Sequence, residues 1–195
     1  MAKKVREKRV GGRGGLSGRL RAAPSTWVAG AVREIPGPED PRRVLDFACG
    51  RGRHTALLLR AGHRVLAVDQ DVAALRAFRR NPRFEALQWD LEQGDAWPFA
   101  DERFKGIVVS NYLYRPKLTA IFGLLGRGGV LVYETFGTGN ARYGRPSNPD
   151  YLAEPGEIAA LARAAGLSVA ADAHVIVDRP RPAVKHRVIA RKSNA

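Results

Sequence analysis

The chain has 195 residues, enough for one domain with a substantial core, and its 45% hydrophobic and 27% charged residues make an ordinary globular balance. No apolar run approaches the roughly 18 residues needed to span a bilayer. Gly11, Gly12, Gly14 and Gly15 stand where a secretory signal would carry its apolar stretch, so a soluble, cytoplasmic protein without membrane association is expected. One cysteine, Cys49, excludes an intramolecular disulfide, and four scattered histidines offer no zinc-ligand spacing, so no metal is expected.

The net charge is +14, and half of it sits at the start, where Lys3, Lys4, Arg6, Lys8, Arg9, Arg13, Arg19 and Arg21 face Glu7 alone. Rich in glycine and lacking aromatic residues, residues 1–24 read as a disordered basic tail. Its simplest role is a solvated extension. Residues 1–21 also suit nonspecific nucleic-acid contact through phosphates, although no ring is present on which a base could stack. Residues 25–41 follow as a short helix with Ser25 as N-cap, closed by the turn-rich linker Ile35-Pro36-Gly37-Pro38-Glu39-Asp40-Pro41.

From residue 42 to 195 apolar runs alternate with helical patterns. Val44 to Ala48 reads as a strand, followed by the turn Cys49-Gly50-Arg51-Gly52 and a helix from His54 to Arg60. Arg64 to Val68 is a second strand ending at Asp69, and Val72 to Arg80 a helix ended by Asn81-Pro82. Phe84 to Trp89 and Lys105 to Ser110 are two further strands, the first ending at Asp90. Leu118 to Leu125 is a helix stopped by Gly126, and Val130 to Glu134 a fifth strand. A long connection, Gly137 to Tyr151, leads to a helix over Pro155 to Ala165; loops of that length are often lids. Two last strands, Ser168 to Val177 and Val184 to Ala190, have no helix between them and should pair antiparallel. The expected fold is α/β: a doubly wound, mostly parallel seven-stranded sheet with a C-terminal antiparallel hairpin and helices on both faces.

In such a sheet ligands bind beyond the carboxyl ends of the strands, where polar residues collect here at Asp46 to Gly52, Asp69, Asp90 and Ser110 to Tyr114. Gly50 and Gly52 allow a sharp turn and close backbone approach, and the helix behind them offers free N–H groups to an anion. Asp69, nineteen residues after Gly50, can accept bonds from both ribose hydroxyls. A dinucleotide site is disfavoured, because Thr55 replaces the third glycine and Asp46 would repel a pyrophosphate. Near an ammonium and a sulfonium, that same carboxylate is favourable.

Val44-Leu45-Asp46-Phe47-Ala48-Cys49-Gly50-Arg51-Gly52 resembles the first motif of class I S-adenosylmethionine-dependent methyltransferases, with Ala48 where a glycine is commoner. The resemblance covers roughly residues 25–190. It implies that Asp46, Ala48, Cys49, Gly50 and Gly52 hold the methionine part, Asp69 the ribose, and Asp90 with Leu91 the adenine edge, with Gln70 and Asn111 completing the cofactor set. Ser110 to Pro116, Tyr133-Glu134-Thr135-Phe136 and Gly144 to Pro149 look like small bacterial methyltransferases close to the tellurite-resistance-type group, in which Tyr114 is often His.

The resemblance implies in-line transfer of the methyl group to an acceptor. Tyr112 and Tyr114 stand where the family faces the methyl group, and Glu134 ends the fifth strand; these are the candidate catalytic residues, each with rim packing or a structural hydrogen bond as its alternative. Arg145 is a candidate for binding an anionic substrate group. His54 faces either the cofactor carboxylate or solvent. The fourth-strand motif lacks the Asn/Asp-Pro-Pro-aromatic pattern of base-amino methylating enzymes, and the short chain leaves little room for an added recognition domain, so a small-molecule acceptor is expected. The alternative is an RNA-binding protein or RNA methyltransferase working through the basic tail.

Overall fold

The computed structural model describes residues 22–94 and 96–194, so the basic segment 1–21 lies outside the described residues. The strands are β1 (Val44–Phe47), β2 (Val65–Asp69), β3 (Phe84–Gln88), β4 (Phe104–Ser110), β5 (Leu125–Phe136), β6 (Leu167–Val177) and β7 (Ala183–Lys192). They form one seven-stranded sheet in the order β3-β2-β1-β4-β5-β7-β6. The first five are parallel, and β7 runs antiparallel between β5 and β6. The order reverses between β1 and β4, which opens a crevice beyond their carboxyl ends.

β1 and β4 are buried on both faces and, apart from Asp46, Lys105 and the terminal Ser110, apolar. On one face, Val44, Val108, Val130 and Val132 pack against helix α1 (Thr26–Ala31), the turn after it, and helix α2 (Arg53–Arg60). On the other, Leu45, Phe47, Ile107, Val109 and Tyr133 meet helices α3 (Leu118–Gly123) and α4 (Glu157–Ala164). Ser25 caps α1 by accepting a hydrogen bond from the Val28 N–H, as its position in the sequence suggests. The Pro/Gly stretch after α1 is fastened to the sheet: the buried Lys105 ammonium donates to the carbonyls of Gly37 and Asp40 at 2.6 and 2.7 Å.

Three elements differ from the sequence expectation. Residues Ala73–Phe78 form a 3-10 helix where an α-helix over 72–80 is expected. The Asp71 side chain turns the entry onto the Ala73 N–H. Arg76 and Arg80 would also repel each other one α-turn apart. β5 begins at Leu125, because the glycine-rich run to Gly129 continues the strand through an irregular register against Phe104 and Gly106. The long connection after β5 is folded down rather than loose. Asn140 is buried, donates to the Pro146 carbonyl and accepts the Val184 N–H, while Arg115 grips Glu157 and the carbonyls of Asp150 and Leu152. Among the described residues, no helix is long and apolar enough to cross a membrane.

Candidate cofactor and acceptor site

The turn after β1 is organised from its own backbone. Cys49 donates to the Val68 carbonyl and accepts the Gly52 N–H, both at 3.0 Å, which fixes the loop between β2 and α2. Gly50, at φ +53°, has nothing within 4 Å of where a Cβ would stand, so the loop is open to a ligand there. Gly52 is glycine for a different reason: at φ +77° its Cβ would strike Leu75 and Phe78. Ala48 sits at φ +55°, a conformation that glycine takes readily and alanine does not. The Cys49 thiol is buried against Ala67 and Leu75, and burial pushes its pKa up.

Asp46 lies beneath this loop. Its carboxylate accepts the Thr55 hydroxyl hydrogen at 2.5 Å and is 2% exposed. Burial raises its pKa to about 7, against the opposing hydrogen bonds from Thr55 and the nearby Arg53 charge. Asp69 is half-buried at the end of β2, where one oxygen accepts the Gly50 N–H at 2.8 Å and the other the Asp71 N–H at 3.1 Å. The Asp69 carbonyl in turn accepts the Trp89 N–H. Beyond it a cleft of about 500 Å³ is lined by Gln70, Gln88, Trp89, Asp90, Gln93 and Gly94. The structure thus joins Gly50, Asp69, Gln70 and Asp90 along one edge. Trp89, 37% exposed and beside Asp90, is a lining residue that sequence reasoning missed. Leu91 is buried next to this cleft, with its carbonyl accepting the Trp97 indole N–H.

At the other end of the crevice the residues come from distant parts of the chain. Register aligns Ser110 with Glu134 and Glu134 with Arg187, while Phe136 pairs with Lys185. Arg53, at the first turn of α2, donates to the Ser110 hydroxyl at 2.9 Å. Glu134 is 3% exposed and accepts from Arg187 at 2.8 Å, and the Arg187 guanidinium lies over the Trp27 ring. Asn111, at φ +58°, donates its N–H to the Glu134 carbonyl and accepts from the Lys185 ammonium at 2.6 Å.

Among the described residues, the remaining sequence candidates form no hydrogen bond to these groups, although Tyr112 lies close enough to Glu92, Tyr114 and Asp90 to feel their charge. Tyr112 turns to the α3/α4 face and packs edge-on to Phe47, its hydroxyl buried without a partner among the described residues, and burial raises its pKa. Tyr114 is half-buried just before the turn Arg115–Lys117. Arg145 is exposed on the connection after β5. His54 does not face solvent; it is buried, accepts the Ser25 N–H, and has its pKa lowered to about 3 by burial and by Arg53.

Residues 44–129 match the family model described as a methyltransferase domain. No curated protein sequence matches the chain. Among solved structures, the chain is 24% identical to a Burkholderia thailandensis 1,6-didemethyltoxoflavin-N1-methyltransferase with bound 1,6-didemethyltoxoflavin and S-adenosylhomocysteine. That alignment has a TM-score of 0.61 and covers 86% of this chain and 76% of the other. TehB from Haemophilus influenzae gives a TM-score of 0.67 at 16% identity, covering 87% and 63% of the two chains. The [4+2]-cyclase SpnF gives 0.65 at 16% identity, covering 87% and 81%. The fold is the Rossmann-like fold of class I methyltransferases.

Proposed function

We propose that this chain, which carries a methyltransferase domain in residues 44–129 on the class I fold, is an S-adenosylmethionine-dependent methyltransferase acting on a small-molecule nucleophile. The observation that carries the reading is the unbroken run from the open Gly50 turn through the Asp69 carboxylate to the Trp89–Asp90 cleft. These residues fit the cofactor. The Gly50 turn and the start of α2 would hold the methionine part, Asp69 the ribose, and Gln70, Trp89 and Asp90 the adenine. Asp46 would act from below, by fixing the loop through Thr55.

When bound, the cofactor supplies a methyl group on a positively charged sulfur; a bond forms from acceptor to carbon as the carbon–sulfur bond breaks, and the electron pair stays on sulfur. The chain's own part is to orient the acceptor and keep water out. Glu134, engaged by Arg187, shapes the acceptor end of the crevice rather than taking a proton itself. The small-molecule reading is supported by the small substrate bound in the Burkholderia enzyme.

SpnF has the same fold and is a cyclase, so cofactor binding and methyl transfer need separate tests. Calorimetric titration should give micromolar binding of S-adenosylmethionine and S-adenosylhomocysteine and none of NAD. Asp69→Ala should weaken both nucleosides by about 2 kcal/mol, the value of hydrogen bonds to a charged acceptor. Absence of binding by either sulfur nucleoside would overturn the reading. Methyl transfer is then followed as release of S-adenosylhomocysteine on adding acceptors.

A further inference from the structure

Lys185, opposite Phe136 at the carboxyl end of β5, is an unusual residue to find buried. It is 9% exposed, its ammonium donates to the Asn111 amide oxygen at 2.6 Å, and it stands 3.3 Å over the Phe136 ring. Among the described residues no carboxylate lies within ion-pair distance of it. An amide oxygen and a ring face solvate a cation only partly, and an ammonium has three donors to satisfy. The charged groups around it do not make up the difference. Glu134 on β5 is committed to Arg187, and Arg53 from α2, Arg187 from β7 and Arg181 from the β6–β7 connection are all like charges. Burial first, then these arginines, lower the Lys185 pKa to about 8 against the pull of Glu134. This end of the crevice is short of negative charge.

Resting on the methyltransferase reading above, we infer that the methyl acceptor is an organic acid whose carboxylate or phenolate oxygen binds the Lys185 ammonium beside Asn111 and Phe136. A neutral acceptor would leave the surplus charge in place, and a bound sulfonium would add to it. An oxyanion offsets both. A carboxylate also arrives without its proton near pH 7, so transfer to its oxygen needs no general base, whereas a phenol first loses its proton to solvent. From the anion, the carbon–oxygen bond forms as the carbon–sulfur bond breaks, the anion and the sulfonium both become neutral, and no proton moves in the transfer itself. The product ester or ether has lost the charge that Lys185 held, which favours its release.

The test uses the full chain saturated with S-adenosylhomocysteine, titrated with benzoate and 4-hydroxybenzoate and with the corresponding amides. The acids should bind about tenfold or more tightly than the amides near pH 7, the span expected for hydrogen bonds to charged groups. Their advantage should shrink near pH 9, where Lys185 gives up its proton. Lys185→Met should abolish the acid preference while S-adenosylhomocysteine affinity stays as in the wild type, and Lys185→Arg should keep the preference. Equal binding of acids and amides by the wild-type complex would overturn the inference, whether or not the Met variant folds. Survival of the preference in Lys185→Met would do the same. Failure to bind S-adenosylhomocysteine at all is a different result: it removes the enzyme reading, and this inference with it.

Discussion

Along one crevice, the ends of β1, β2 and β3 present backbone N–H groups, half-exposed carboxylates and the exposed Trp89, whereas the ends of β4, β5 and β7 present a buried lysine, half-buried Arg187 and one buried carboxylate. The first end is built on loops that keep their polar groups within reach of water. A change there costs ligand affinity and little stability. At the second end the polar groups hang from strand faces inside the domain, where each depends on its neighbour for solvation. Function and stability are coupled there, and substitution should show it.

The largest effect should come from Glu134→Ala. It leaves the Arg187 guanidinium without its carboxylate and takes away the one negative charge that supports Lys185. Removing the buried partner of this part-buried pair costs about 3 kcal/mol. Urea unfolding of the variant should show a loss of that size, while Asp69→Ala should unfold within about 1 kcal/mol of the wild type. Equal losses in the two variants would erase the distinction between the ends.

The same distinction decides what the sequence disclosed. Asp46 to Gly52 is contiguous, and Asp69 and Asp90 each follow an apolar run, so their place at the strand ends can be read by counting. Seven strands and their order of appearance follow from apolar runs and glycine stops. The acceptor end has no such signature. Lys185 and Asn111 meet across 74 residues of sequence only because β7 inserts between β5 and β6, and Lys185 reads in the sequence as one more position of a terminal strand. Arg53 and His54 resemble surface residues on a helix start, yet one bridges to Ser110 and the other closes over Ser25. Ser110 pairs with Glu134, so alternation alone would put Tyr112 on the Glu134 side, but β4 ends at Ser110 and the left-handed Asn111 turns Tyr112 to the opposite face. The 3-10 helix over Ala73–Phe78 and the pinned connection after β5 depend on side-chain bonds from Asp71 and Asn140, which residue patterns do not carry.

A smaller effect, pH-dependent, separates the loop from its buried support. The Asp46 pKa is raised by burial to about 7 from the ordinary 3.8, so the folded chain holds this proton more tightly than the unfolded chain does. Stability from this group is therefore fully present below about pH 4, falls as pH rises toward 7, and is lost above it. Asp46→Asn keeps an acceptor for Thr55 and cannot ionise. It should be about 2 kcal/mol more stable than the wild type at about pH 8, with the two converging as pH falls toward about 4. Urea midpoints at the two pH values measure this. A variant less stable at the higher pH would mean that the ionised carboxylate is held by the loop.

The smallest effect compares two left-handed residues, one at each end of the crevice. Ala48 has φ +55° and Asn111 φ +58°. Alanine pays roughly 1–2 kcal/mol for that conformation, and glycine in its place returns part of this through the flexibility it adds to the unfolded chain. Ala48→Gly should thus raise stability by about 0.5 kcal/mol, seen as a small upward shift of the melting temperature. Asparagine tolerates the left-handed region, so Asn111→Gly has little strain to relieve and removes the oxygen on which Lys185 rests. The two substitutions are the same in backbone terms and should move stability in opposite directions, because only the second backbone position carries a side chain that a buried ammonium needs. If both stabilise, the Asn111–Lys185 hydrogen bond contributes less than the backbone it sits on, and the acceptor end is more weakly coupled to the fold than its burial implies.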